Sequence, residues 1–178
     1  MNVKNVVGLD LGHLTTVEAE HWLADLPPVP GLVACTHLVH GPRPRVVITL
    51  ASPVPIDTWL PPGSAPAAGP RDGGEAAHVA AAGHAARRAG RAVVYPGVQT
   101  LTGILTVADL LATSAIERVR VIGGAASDLP PDTPVDTRDF VRPQWLAGEL
   151  TLMATPAPAG RIAPFEVPNP TPCCGSHP

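Results

Sequence analysis

A chain of 178 residues fits one domain and is long enough to bury a core without staples. Its net charge of −3, from 12 Lys and Arg against 15 Asp and Glu, excludes a general nucleic-acid binder, which needs a basic face. Aromatic residues are only 3%, so the core must be built from Val, Leu, Ile and Ala, while the 23 prolines and 17 glycines concentrate in loops and the tail.

Val6, Val7, Leu9 and Leu11 form a short apolar run that reads as an edge strand or an arm. A helix follows: Thr15 as N-cap with Glu18 three residues on is the capping-box spacing. Its apolar side would carry Val17, Trp22, Leu23 and Leu26, and it must stop by Pro27-Pro28. Leu32–His40 and Arg45–Ala51 are β-rich runs around Gly41-Pro42-Arg43-Pro44 and read as a hairpin. Residues 61–74 are low-complexity in Pro, Ala and Gly, the composition of a mobile surface loop. Glu75–Gly90 is Ala-rich, acidic at its start and basic at its end, with Gly90 as the expected stop.

The stretch Arg91–Gly124 reads as a βαβ unit, with strands over Ala92–Tyr95 and Val119–Ile122 and an amphipathic helix between them. Joined to Arg45–Ala51 through the Ala-rich helix, it extends to β-α-β-α-β. Further on, Val135–Val141, Glu149–Ala154 and Arg161–Val167 alternate in part and read as an antiparallel meander, with Pro164 marking the last as an edge strand. Residues 168–178 (PNPTPCCGSHP) form an extended, proline-spaced tail. The expected fold class is therefore α/β (or α+β): a short, mainly parallel three-stranded layer with two crossover helices, plus the meander. Residues 1–167 make the domain and 168–178 the tail.

Cysteine and histidine supply the sharpest chemical clusters. Cys35 and His37, two apart on a strand, share a face, and Cys173, Cys174 and His177 lie within five residues. Thiolate and imidazole suit Zn²⁺ or another thiophilic metal, although the spacing matches no finger or ribbon pattern. The competing account makes Cys35 a small buried hydrophobe and the tail inert. A second cluster, Asp136–Arg142, would place Arg138 and Arg142 on one strand face, where they could grip an anion; a solvated ion-pair ladder explains the same pattern. His84, Arg87, Arg88 and Arg91 form a basic stripe at helical spacing, for which the helix dipole is explanation enough. The carboxyl ends of the three strands would gather a rim of Ser52, Tyr95, Gly97, Thr100, Gly123 and Gly124, which carries hydrogen-bonding groups and bare backbone but no acid–base pair.

No dinucleotide, P-loop, nucleophile-elbow or zincin motif is present, so catalysis has no motif behind it. The expectation is a cytoplasmic, non-catalytic accessory protein without a certain cofactor. It would engage a protein partner, or a second copy of itself, through the rim and the tail, without nucleic acid or a membrane span. Two alternatives stand beside it: a thiol–imidazole metal or redox protein, and a small enzyme on an anionic substrate held by Arg138 and Arg142.

Overall fold

The computed structural model describes residues 6–41, 43–64, 74–124 and 129–168. Its architecture is α+β: one ten-stranded mixed sheet in the order β1-β3-β2-β4-β8-β9-β10-β7-β5, with β6 also paired to β9, and three short helices. The short parallel three-stranded layer is not formed.

The first half of the sheet is β1 (Val6–His13), β2 (Val33–Val39), β3 (Arg45–Ala51) and β4 (Arg91–Val94). β1 is the edge strand, antiparallel to β3, and the expected hairpin pairs β2 with β3 through Cys35↔Thr49 and Thr36↔Ile48. β3 and β4 run in the same direction but never touch, because β2 lies between them and pairs antiparallel with both. Two helices cover this half from opposite faces. α1 (Thr16–Ala24) is closed by the Thr15–Glu18 capping box and packs Ala19 and Leu23 on Val46, Ile48 and Leu50. The face assigned to it from sequence shifts, and Val17 is exposed. α2 (Gly74–Ala85) sets Ala77 and Ala80 against Val47 on the other side. Its approach to β1 depends on Gly8, where an added Cβ would stand 2.0 Å from the Ala77 carbonyl oxygen.

α2 also ends earlier than expected. Arg87 N–H reaches His84 O (2.8 Å) and Arg88 N–H reaches Gly83 O (2.9 Å), with Arg87 at φ +54°. That is a Schellman close with arginine, not Gly90, at the left-handed position. Arg87, Arg88 and Arg91 are thus off the helix, and the basic stripe dissolves.

The expected βαβ unit is also reorganised. Gly97 and Gly103 adopt positive φ and break the long helix, leaving β5 (Ile104–Thr106) and a seven-residue α3 (Val107–Thr113) capped by the Thr106 hydroxyl. β6 (Arg118–Val121) then pairs in parallel with β9 (Glu149–Ala157), not with β4. β9 is the hub of the second half. Thr151 pairs with both β6 and β8 (Gln144–Leu146), and Ala154 with both β6 and β10 (Arg161–Pro164), so β8 and β10 share one edge of β9 and β6 takes the other. β10 is therefore flanked by β9 and by β7 (Pro134–Asp136), and is not an edge; Pro164 closes the strand, where its missing donor interrupts only the ladder's end. The main core, from Cys35 and Ala92 through Tyr95, Leu110 and Trp145 to Leu152, runs continuously under both halves.

Candidate functional site

Alternation along β2 turns Cys35 and His37 to the α2 side of the sheet, as their spacing requires. There they meet two groups that lie far off in sequence. Thr49, directly across the ladder from Cys35, accepts or donates at 2.8 Å to His37 Nε2 and at 2.7 Å to His84 Nδ1. His84, on the last turn of α2, holds its Nε2 4.0 Å from Cys35 Sγ. The hydroxyl has one proton, so it donates to one imidazole and accepts from the other, and the four side chains form a single directed chain. The buried indole N–H of Trp145 faces the thiol without completing a hydrogen bond. Gly90 passes so close that an added Cβ would stand 3.0 Å from Cys35 Cβ and 3.0 Å from His37 Cε1.

The electrostatics of this cluster follow from its burial. Cys35 is fully enclosed, and desolvation pushes its thiol up to about 12. Burial lowers both imidazoles, His37 to about 4 and His84 to about 4, the latter assisted by its neighbour His37. At neutral pH all three are uncharged. Such a thiol is not a free nucleophile, which requires an electropositive, partly open setting.

His84 and Trp145 also wall a cleft of about 670 Å³ between the end of α2, the β2 and β3 termini and the α3–β6 connection. The rest of the wall is mostly apolar, including Val33, Leu111, Ile116 and Leu150. Arg87 stacks over the Trp145 ring at 4.4 Å and pairs with Glu117, whose carboxylate also accepts the Leu150 N–H at 2.8 Å. The charge at the mouth is therefore balanced within the protein.

The arginine pair expected to grip an anion is not assembled. Arg138 and Asp139 both sit at φ +52° in a turn after β7, so Val135–Val141 is no continuous strand and its alternation does not apply. Arg138 is exposed, while Arg142 binds Glu20 at 2.7 Å and stacks on Phe140 at 4.2 Å. Glu20 bridges Arg142 and Arg91, both at 2.7 Å, and Arg91 in turn grips Glu166 through Nε at 2.7 and 2.8 Å. Burial opposes the charge on Glu20, but the Arg142 and Arg91 guanidiniums outweigh it and hold its pKa below the usual value.

The rim residues are dispersed into structural roles. The Ser52 hydroxyl donates to Val54 O, buried Tyr95 donates to Val141 O at 3.1 Å, and Thr100 donates to Gly97 O. Gly97 has its own steric duty, since a Cβ there would stand 2.0 Å from Thr113 O. Gly123 and Gly124 follow β6, which belongs to the other half of the sheet. Cys173, Cys174 and His177 lie outside the described residues. Among the described residues, no three of His, Cys, Asp and Glu come together as a metal-binding group. Sequence reasoning missed Thr49 and Trp145, and set His84 in the basic stripe and not in this cluster. His84 carried one usable signal, an imidazole amid alanines on a helix otherwise fit only for packing. Among the described residues no helix is long and apolar enough to cross a membrane. Comparison with protein-family models, with curated proteins and with solved structures finds no match to this chain.

Proposed function

We propose that the protein is a binding module that seats an apolar anchor of a protein partner in the cleft between α2 and the α3–β6 connection. The observation that carries this reading is the composition of that cleft: aliphatic walls, one tryptophan, and an arginine stacked across its mouth with its charge already answered by Glu117. Tryptophan and arginine are the residues that most often concentrate binding energy at protein interfaces, and a central apolar pocket with a polar rim is the usual form of such a site.

The test is a substitution at Leu111, on the partly exposed wall at the edge of the core. Leu111→Asp should abolish saturable binding of an environment-sensitive apolar dye and the capture of the partner, with the melting temperature little changed. Dye binding that never saturates, or that is equal in wild type and Leu111→Asp, would remove the cleft from the reading.

A further inference from the structure

We propose that Cys35 and His84 form a two-coordinate site for copper(I), set one side chain behind the cleft wall. The proposal is independent of what occupies the cleft.

The geometry is that of a pair held apart at metal-spanning distance. Cys35 Sγ and His84 Nε2 are 4.0 Å apart, too far for a strong hydrogen bond. With metal–sulfur and metal–nitrogen bonds of ~2.3 and ~2.0 Å, the two donors stand ~3.5 Å apart at a tetrahedral angle and ~4.3 Å apart when collinear. The observed separation lies between these limits, on the side of a wide angle. The imidazole is already oriented as a ligand: Nδ1 is 2.7 Å from Thr49 Oγ1, and when Nδ1–H donates there, the Nε2 lone pair points at the sulfur. Thr49 passes that bond on to His37 at 2.8 Å, which completes the outer support.

A second observation points to a negative sulfur at this place. Trp145 is nine-tenths buried, and its indole N–H faces Cys35 without a satisfied acceptor. A buried donor left unpaired is costly, and a thiolate would accept from it where a neutral thiol does so poorly. Burial alone forbids that thiolate, as its raised pKa records; a bound cation supplies the missing charge. The donor set also selects the ion. Among the described residues no third His, Cys, Asp or Glu stands near enough to complete a group. Zinc favours four ligands and hard cations favour oxygen, whereas soft donors such as thiolate select copper(I). Binding is a simple exchange: the S–H bond breaks, the Cu–S bond forms, the proton leaves to solvent, and copper remains in the same oxidation state.

The test uses the full chain with Cys173→Ser and Cys174→Ser, so that Cys35 is the only one of the three cysteines left. Titrated anaerobically with copper(I), this protein should take up one equivalent and lose Trp145 fluorescence as it does so. Adding Cys35→Ala should abolish uptake, and adding His84→Gln should weaken it at least tenfold. If Cys35→Ala does not fold, the same question is read from the parent: one equivalent of copper(I) should protect Cys35 from slow alkylation. A folded parent that takes up less than a tenth of an equivalent, uptake unchanged by Cys35→Ala, or alkylation at the same rate with and without copper(I) would each overturn the site.

Discussion

Replacing Arg87 by glycine and by alanine separates what its backbone costs from what its side chain contributes. Arg87 closes α2 at φ +54°, where a residue with a Cβ is strained by ~1–2 kcal/mol. Its guanidinium offsets part of this by stacking 4.4 Å above Trp145, worth ~0.5–1 kcal/mol at a partly exposed site. The ion pair with Glu117 adds ~0–1 kcal/mol, discounted because both side chains are 43% exposed. Arg87→Ala discards both contacts and keeps the strain, so it should lose ~0.5–2 kcal/mol. Arg87→Gly discards the same contacts but relieves the strain, less ~0.5–1 kcal/mol for the freer unfolded chain. It should therefore be more stable than Arg87→Ala by ~0.75 kcal/mol at the middle of these ranges and at most ~1.5 kcal/mol, the former a difference of ~1.5–3 °C in melting temperature for a chain of this size. Urea denaturation of the three proteins at low and high salt is the assay, since salt screens only the ion pair. Should Arg87→Gly prove no more stable than Arg87→Ala, the left-handed residue is not strained, and its use to place a cation over Trp145 loses its rationale.

Other outcomes follow from the same geometry. Gly8→Ala drives a methyl group into the Ala77 carbonyl and should cost ~1–3 kcal/mol or more as α2 lifts from β1, read as a lower urea midpoint. His84, lowered by burial to about 4, is protonated more readily in the unfolded chain, so its contribution is complete above the ordinary value of 6.5 and is lost as pH falls towards 4. His84 should account for up to ~3 kcal/mol of the stability lost across that window and His37 for a similar share, so the loss should be roughly halved in His84→Gln; equal slopes would contradict the assignment. Removing Glu20 leaves Arg91 and Arg142 facing each other at 19% and 16% exposure, so Glu20→Ala should cost ~2–4 kcal/mol, and a loss below 0.5 would show the bridge to be idle.

What could be read from the sequence was what neighbouring residues decide among themselves. Thr15 and Glu18 cap α1 with bonds that span three residues, the β2–β3 hairpin needs only its own alternation, and the Ala-rich α2 is favoured by composition alone. Pairing between distant strands left no such mark. Nothing in Arg118–Val121 distinguishes β4 from β9 as a neighbour, and three-residue β5 and β8 are too short to carry a period. Arg87 defeated the rule that glycine stops a helix, because its side chain recovers part of the steric cost. The same division holds at the site. The shared face of Cys35 and His37 was visible as a two-residue spacing, but Thr49 and His84 join them only through the β2–β3 register and the packing of α2 across it.

The joint between the two halves of the sheet has a dynamic consequence. β4 and β8 share a single residue pair, Arg91↔Gln144, framed by the Ala92–Pro143 and Trp145–Gly90 backbone bonds, whereas β2 and β3 are laced through seven pairs. Beneath it lies the continuous core, and from outside it is held by Glu20, Arg142, Arg91 and Glu166. Amide deuteration should therefore spread from Ala92 and Trp145 as one cooperative opening, before the β3 amides exchange. Each such opening swings Trp145 away from Cys35, and so gives a sealed thiol an intermittent door.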